Sequence, residues 1–499
     1  MRKNFRIAVG LCCLLVTAAT GQTNIGRNHR VIGATRHGQS AIEFDLDKDV
    51  RVGRASELEF RLPDRFAAVR LDRRHRFEER AGGGGFWRGL EDGRTDSEVM
   101  LTDHEGFLAG TIRVGGDFYE IKPTLAGQVV EKIDPSSFPA CGGALDMPGV
   151  TELGAAAQAT ASSESRDAVG TVHTIDLLSV YTPQARLAAG GAAQITAIIQ
   201  AAVDSANQAF DNSGVTAVYR LVKTSETDYA DSGDLSKDLI WLAGDASTAA
   251  LRNEVGADMV SLIVEKGGGY CGLGYTIRSP GAGFAGAAFQ VTSKKCAVSN
   301  FSFAHENGHN LGLEHDPGNG PAVTRASYAW SFGHLVNGVF RTVMSYSSGC
   351  ANGCGRVAYY SNPNVPYLGY PTGVTEANDN ARTANLTAPI AAAFRAAPSS
   401  PSLTAPPAAP TGLAVTSVSE AQIGLTWVDQ ASDESGFRIE CAFSGGSFTE
   451  IATVGAGATS FASTGLVAGT RYLFRVRAHN ANGNSSYSNT ASASTVDAR

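Results

Sequence analysis

Between Ala41 and Lys132, apolar and polar residues alternate in short runs, among them Val99-Met100-Leu101, Thr111-Ile112-Arg113-Val114 and Asp117-Phe118-Tyr119-Glu120-Ile121. A period of two broken by Gly-rich turns is the signature of half-buried strands, and it predicts a small β-rich domain over 22–153. Residues 154–170 are rich in Ala, Ser, Thr and Gln, with too few bulky apolar side chains to bury. That segment reads as an exposed, cleavable linker.

The texture changes at residue 171. Ile175 to Tyr181 is largely apolar, as in a buried strand, and Ile195, Ile198, Ile199, Ala202, Val203 and Ala206 then recur at helical spacing. Ala217–Val222 and Asp258–Val264 read as further strands, and 380–397 as a closing helix. Strands alternating with helices predict an α/β domain over 171–397. Five prolines between 398 and 410 make an extended spacer. Beyond it, Ile423, Leu425 and Trp427 alternate with polar residues, as do Phe437, Ile439 and Cys441, and Tyr472, Phe474, Val476 and Ala478. This predicts a β-sandwich over 411–499, with Cys441 on the inward phase as a buried, inert thiol.

Composition narrows the classes. The chain has 499 residues, 43% hydrophobic and 18% charged, with 57 Gly and a net charge of -7. It is long enough for about three folded units, and too acidic for a general nucleic-acid binder. Met1-Arg2-Lys3-Asn4-Phe5-Arg6, the apolar run Ile7–Val16 and the small residues Ala18, Ala19 and Gly21 follow the order of a secretory signal over 1–21. The run is too short to span a bilayer, and no later one is long enough, so a secreted, extracellular protein without a membrane span is expected. Six cysteines remain beyond the signal. In an exported chain the close pairs Cys271 with Cys296 and Cys350 with Cys354 are disulfide candidates, which leaves Cys141 and Cys441.

The chemistry concentrates in His305-Glu306-Asn307-Gly308-His309-Asn310-Leu311-Gly312-Leu313-Glu314-His315-Asp316. Histidines four apart share one face of a helix, about 6 Å apart along its axis, and can hold one metal. Gly312 can take the positive φ that ends a helix and turns His315 inward as a third ligand. Three neutral imidazoles leave a tetrahedral zinc one open position, the mark of a catalytic site. Zinc there acidifies a water, and Glu306 is placed to take its proton and pass it to a leaving amine. Hydrolysis of peptide bonds in protein or peptide substrates is the natural reaction. The loop from Pro317 to Phe340 is expected to shape the substrate pocket.

This string, with Thr342-Val343-Met344-Ser345-Tyr346 beyond it, resembles the metzincins, whose signature adds a downstream Met-turn. The resemblance implies an α/β catalytic domain with a twisted mixed sheet and an active-site helix, with Met344 as the apolar floor under the metal. Tyr346 matches the tyrosine that astacins and serralysins keep near the metal. Its phenol either ligates zinc, donates to the oxyanion, or simply packs. Gly-His-Asn-Leu-Gly and the Asp after the third histidine are similar to the reprolysin or adamalysin branch, in which Pro is usual where Tyr346 stands. Bacterial reprolysin-like secreted enzymes, the peptidyl-Asp metalloendopeptidases among them, would account for that tyrosine. Gly89–Ser97 and Tyr119–Pro123 resemble a reprolysin prodomain, which makes 22–153 a prodomain.

Cys141, in Pro139-Ala140-Cys141-Gly142-Gly143, resembles a cysteine switch, in which a thiolate takes the water position on zinc. A structural thiol and a disulfide with Cys441 are the other readings. The C-terminal region resembles an immunoglobulin-like fibronectin type III domain, whose ligand would be an extracellular polymer or surface. Calcium repeats are absent from the sequence, and a structural calcium site is left open without a ligand set. The rival to a latent zinc endopeptidase is a secreted adhesion or carbohydrate-binding protein with an inactive protease-like domain.

Overall fold

The computed structural model describes residues 97–146 except 126, 171–350, 354–396, and 406–497 except 432, 444, 445, 447, 481 and 482. It also describes short segments, mostly strands, between 23 and 89. The signal sequence and the linker over 154–170 lie outside the described residues, as does the spacer up to residue 405. The chain divides into two compact units, one within Gly21–Pro398 and one within Ser399–Arg499.

The period-two runs form an antiparallel sheet of eight strands. At its centre Gly127–Ile133, Asp117–Thr124, Phe107–Val114 and Ser97–His104 lie side by side in chain-consecutive order. Val99, Leu101, Ile112 and Ile121 are fully buried. The sheet does not stand alone. Phe86, Met100 and Ala109 belong to the same apolar core as the α/β region. A polar seam completes the junction: the Thr102 hydroxyl and the Arg80 guanidinium both donate to Asp204, and Arg88 donates to Gln208 at 3.1 Å.

In the α/β region the elements are β1 (Ala144–Asp146), β2 (His173–Tyr181), α1 (Ala192–Asn212), β3 (Ala217–Glu226), β4 (Met259–Val264), β5 (Gly272–Thr276), β6 (Phe289–Ser293), α2 (Ser302–His309) and α3 (Asn380–Ala391). Helix α1 joins the core through Ile195, Ile199, Ala202, Ala206 and Phe210, which explains why so much of its circumference is apolar. The six strands run in the order β1-β5-β6-β4-β2-β3. β6, β4, β2 and β3 are mutually parallel, whereas β5 runs antiparallel to β6, and β1 pairs parallel to β5 at the edge. The sheet is therefore mixed, and β1 comes from the segment just after Cys141.

Helix α3 stops at Ala391 rather than 397, and turns follow it. Pro389, in its last turn, cannot donate the hydrogen bond that would continue the ladder. In the second unit, Thr411–Val418, Gln422–Val428 and Ser460–Thr464 form one sheet, and Gly436–Phe443, Thr449–Gly455 and Arg471–Asn480 lead the other. Leu425, Trp427, Phe437, Ile439, Phe474 and Val476 share its core. Cys441 is fully buried there and outside any disulfide.

Candidate metal centre

Helix α2 is only eight residues long and wholly buried, so its position is set by packing rather than by propensity. It starts at Phe301, which takes a left-handed φ of 52°. It ends where Leu313 N–H bonds to the Gly308 carbonyl and Gly312 turns left-handed at φ 79°. Glycine is required at 312 for a second reason: a Cβ there would lie 2.7 Å from the Ile277 carbonyl oxygen. The turn delivers His315 to the face that carries His305 and His309. Met344 is fully buried beneath, and its Sδ would lie 2.7 Å from a Cβ at Gly308, so this floor needs glycine in the helix above it.

The three Nε2 atoms converge: His315 Nε2 lies 3.1 Å from that of His305 and 3.0 Å from that of His309. Each Nδ1 faces a backbone carbonyl, Val343 O at 2.8 Å, Leu313 O at 2.8 Å and Asn319 O at 3.3 Å respectively for His305, His309 and His315. A carbonyl only accepts, so each Nδ1 carries the proton and each Nε2 presents a bare lone pair. Lone pairs so close cannot bond to one another, and burial disfavours protonating the rings instead. Burial and neighbouring positive charge hold His305 and His309 well below the usual histidine range, and burial brings His315 to about 4. The donor set therefore fits a cation. Zinc–nitrogen bonds of about 2.0–2.1 Å at tetrahedral angles set nitrogens about 3.3 Å apart, close to what is seen.

Cys141 completes the group. Its Sγ and the three imidazoles offer ligand atoms all within 4.8 Å of one another, the one such His, Cys and carboxylate cluster among the described residues. The backbone pins it there, with Cys271 N–H donating to Ala140 O at 2.9 Å and Gly142 N–H to Gly272 O at 2.8 Å. The thiol donates to Glu306 Oε1, while Glu306 Oε2, also buried, has no partner. Burial lifts the Glu306 carboxyl to about 8 and pushes the Cys141 thiol well up, the latter reinforced by Glu306. The Tyr346 ring lies 4.3 Å from that of His315, and its hydroxyl donates to Cys141 O at 3.3 Å. Asp316 Oδ1 accepts from Tyr346 N–H at 2.8 Å.

The structure thus places His305, His309, His315, Glu306, Cys141, Met344 and Tyr346 around one point. Both close cysteine pairs are disulfides, and Cys141 and Cys441 are in no disulfide, so the Cys141–Cys441 bridge is not formed. Cys141 sits at the cluster and Cys441 in the sandwich core. Sequence reading missed β5, because Gly272-Leu273-Gly274 looks like a turn. Glycine there serves closeness: a Cβ on Gly272 would lie 2.5 Å from Glu306 Oε1. Also missed were Arg278, which pairs with the fully buried Glu314 at 2.7 Å and with Asp146 of β1, and the buried Arg341 and Arg356. Nothing local in sequence marks an arginine as buried.

Residues 171–361 match the reprolysin-like model of Metallo-peptidase family M12, and residues 408–494 match the fibronectin type III domain. A peptidyl-Asp metalloendopeptidase of Xanthomonas campestris is 35% identical over 312 residues, 60% of this chain and 70% of that protein. One from Stenotrophomonas maltophilia is 32% identical over 383 residues, covering 70% and 86%. Another, from Pseudomonas aeruginosa, is 34% identical over 249 residues, 44% of this chain and 40% of its own. With the metal-binding geometry and these relatives together, the chain belongs to the reprolysin-like metallopeptidases of family M12 and is a metalloendopeptidase that carries a fibronectin type III domain.

Proposed function

We propose that the protein is exported as the latent precursor of a zinc endopeptidase, in which His305, His309 and His315 hold the metal, Glu306 is the general base and Cys141 is the switch. The observation that carries this reading is the convergence of three lone-pair imidazole nitrogens with a thiol on one buried point. The relatives are peptidyl-Asp metalloendopeptidases, and we extend to this chain the preference their name states, an aspartyl residue beside the scissile bond.

When bound, zinc supplies Lewis acidity and lowers the pKa of a water. The side chains supply the rest. Glu306, buried beside the three histidines, is placed to take a proton and return it to a leaving amine. Its Oε2 makes no hydrogen bond among the described residues and is the oxygen left to receive the proton. The Tyr346 phenol, kept protonated because burial pushes its pKa up, would donate a hydrogen bond to the developing oxyanion once it lets go of Cys141 O. Asp316 fixes that tyrosine through its backbone.

Residues 22–153 act as the prodomain, inserting β1 beside the edge strand β5 and Cys141 over the histidines. Burial and Glu306 favour the protonated thiol, so only a cation at the histidines would draw out the thiolate. Replacing Cys141 by Ser is expected to raise the activity of the uncleaved chain on casein by about 10- to 100-fold, since a hydroxyl is a far weaker zinc ligand. Unchanged basal activity of intact Cys141→Ser chain would remove the switch.

A further inference from the structure

Beside the metal centre lie two arginines that the mechanism above does not use. Arg356 is 6% exposed and Arg341 5%. Arg356 Nη1 donates to Asn300 O at 2.7 Å and Nη2 to Ser345 O at 3.4 Å, while its Nε has no partner. Arg341 donates to Ser345 O, Cys354 O and Asn300 Oδ1 at 2.8, 3.2 and 3.5 Å. Among the described residues, neither makes an ion pair with a carboxylate. Two like charges therefore share a buried site: burial lowers the hold of each on its proton, and the charge on Arg356 lowers that of Arg341 further.

Their surroundings make this worse. Asn300 stands just ahead of α2, so both guanidinium groups crowd the positive end of that helix. An uncompensated buried charge is strongly destabilising, and cations are misplaced at a helix N-terminus. The groups that favour the charge on Arg356 are Cys141, Tyr346, Glu306 and Tyr360, three of which belong to the centre itself. Arg252 shows the contrast. Equally buried, it donates Nε to Ala257 O at 3.0 Å, donates Nη2 to Asp258 O, and lies over the Phe289 ring. Its Nε and one Nη are taken up by backbone carbonyls just beyond the end of its helix, and its guanidinium lies over an aromatic face. Arg356 keeps an unused donor next to the chemistry.

We infer that Arg356, supported by Arg341, receives the side-chain carboxylate of the aspartyl residue that flanks the scissile bond and so determines which bond is cut. This rests on the aspartyl preference proposed above and assigns it to named residues. A guanidinium whose Nε–H is unspent among the described residues and whose neighbouring Nη2 is held only at 3.4 Å can turn that side to a carboxylate, and a site built around buried charge rejects a neutral isostere because the charge is then left unmatched. The segment that covers the centre, Pro139-Ala140-Cys141-Gly142, contains no acid. The latent form thus holds the metal site through sulfur and leaves this carboxylate site for substrate.

The test uses the full chain after limited proteolysis and three fluorogenic peptides that differ only in Asp, Asn or Glu beside the cleaved bond. The wild type is expected to prefer Asp over Asn by at least about 100-fold in kcat/KM, and to prefer Asp over Glu. Arg356→Gln should collapse the Asp/Asn ratio to within about 5-fold, with Arg356→Lys between the two. Because the ratio is taken within one enzyme, general damage to the site cancels. An Arg356→Gln enzyme that keeps the wild-type ratio overturns the assignment to Arg356. A wild type with no Asp preference overturns the specificity reading itself, and that shows before any variant is made. Should both variants fail to fold, a wild-type crystal structure with an aspartyl hydroxamate decides: a carboxylate within hydrogen-bond distance of Arg356 supports the inference, and one placed elsewhere refutes it.

Discussion

Two buried glutamates, each with arginine and tyrosine neighbours, behave in opposite ways. In the sandwich, Glu440 accepts from Arg475 at 2.6 and 2.9 Å and from Tyr487 at 2.8 Å, and pairs with Arg477 at 3.1 Å. Burial raises its pKa, but the Arg475 bonds and then Tyr487 outweigh this and leave it lowered. At the metal centre, Arg356 spends its bonds on backbone carbonyls, Glu306 is met only by a thiol, and its carboxyl rises to about 8. The same residue types yield a carboxylate paired with arginines in one place and a carboxylate without a cationic partner in the other. Unmet demand is what a site offers to a metal, a proton and a substrate, and it costs stability that the surrounding core must supply.

The sharpest way to break the contrast is at a histidine. His309→Ala should abolish bound zinc and take activity to background, a loss of at least about 10⁴-fold, because two imidazoles no longer complete the site. Elemental analysis beside a casein assay reads both. A variant that keeps one zinc per chain would show that the ligand set is different.

In the sandwich, Glu440→Gln should lower the stability of the second unit by about 2 kcal/mol while leaving kcat/KM unchanged, since three donor side chains lose a charged partner and none of them belongs to the metal centre. Calorimetry of the full chain measures it. The pH arm follows from the direction of the shift. A carboxylate whose folded pKa is depressed contributes stability above its unfolded value of about 4.3 and loses it as pH falls through the folded value. The gap between wild type and Glu440→Gln should therefore close below about pH 4, and a gap that widens in acid would contradict this pairing.

The smallest effect is expected at β1, the strap of the proposed prodomain. Asp146 of β1 pairs with Arg278 and, at 2.9 Å, with Arg325, in partly exposed positions. Asp146→Asn should loosen β1 by no more than about 1 kcal/mol, seen as a rise in basal activity of at most about 5-fold. A rise as large as that of Cys141→Ser would mean that the strap, and not the sulfur, maintains latency.

Much of this was legible in the chain because its determinants are local. His305, His309 and Gly312 are spaced by helix geometry and turn chemistry, and Ile195 to Ala206 declare their helix by period alone. What escaped was set by distance. Arg356 stands 50 residues beyond Glu306, and no pattern marks it as buried. β5 was disguised by the glycines that let Glu306 approach it. The β-rich region reads as a domain of its own, yet Phe86, Met100 and Ala109 enter the core of the α/β region. The fate of Cys141 was open between a disulfide and a switch because connectivity is a property of the fold.

In the proposed mechanism His305, His309 and His315 hold zinc and Glu306 transfers the proton. The most direct measurement compares processed wild type with Glu306→Gln for zinc content and kcat/KM side by side. One zinc per chain in both, with kcat/KM lower in the variant by about 10²–10⁴-fold, is the predicted result. A Glu306→Gln enzyme as active as the wild type, or a zinc-free wild type at full activity, would contradict it.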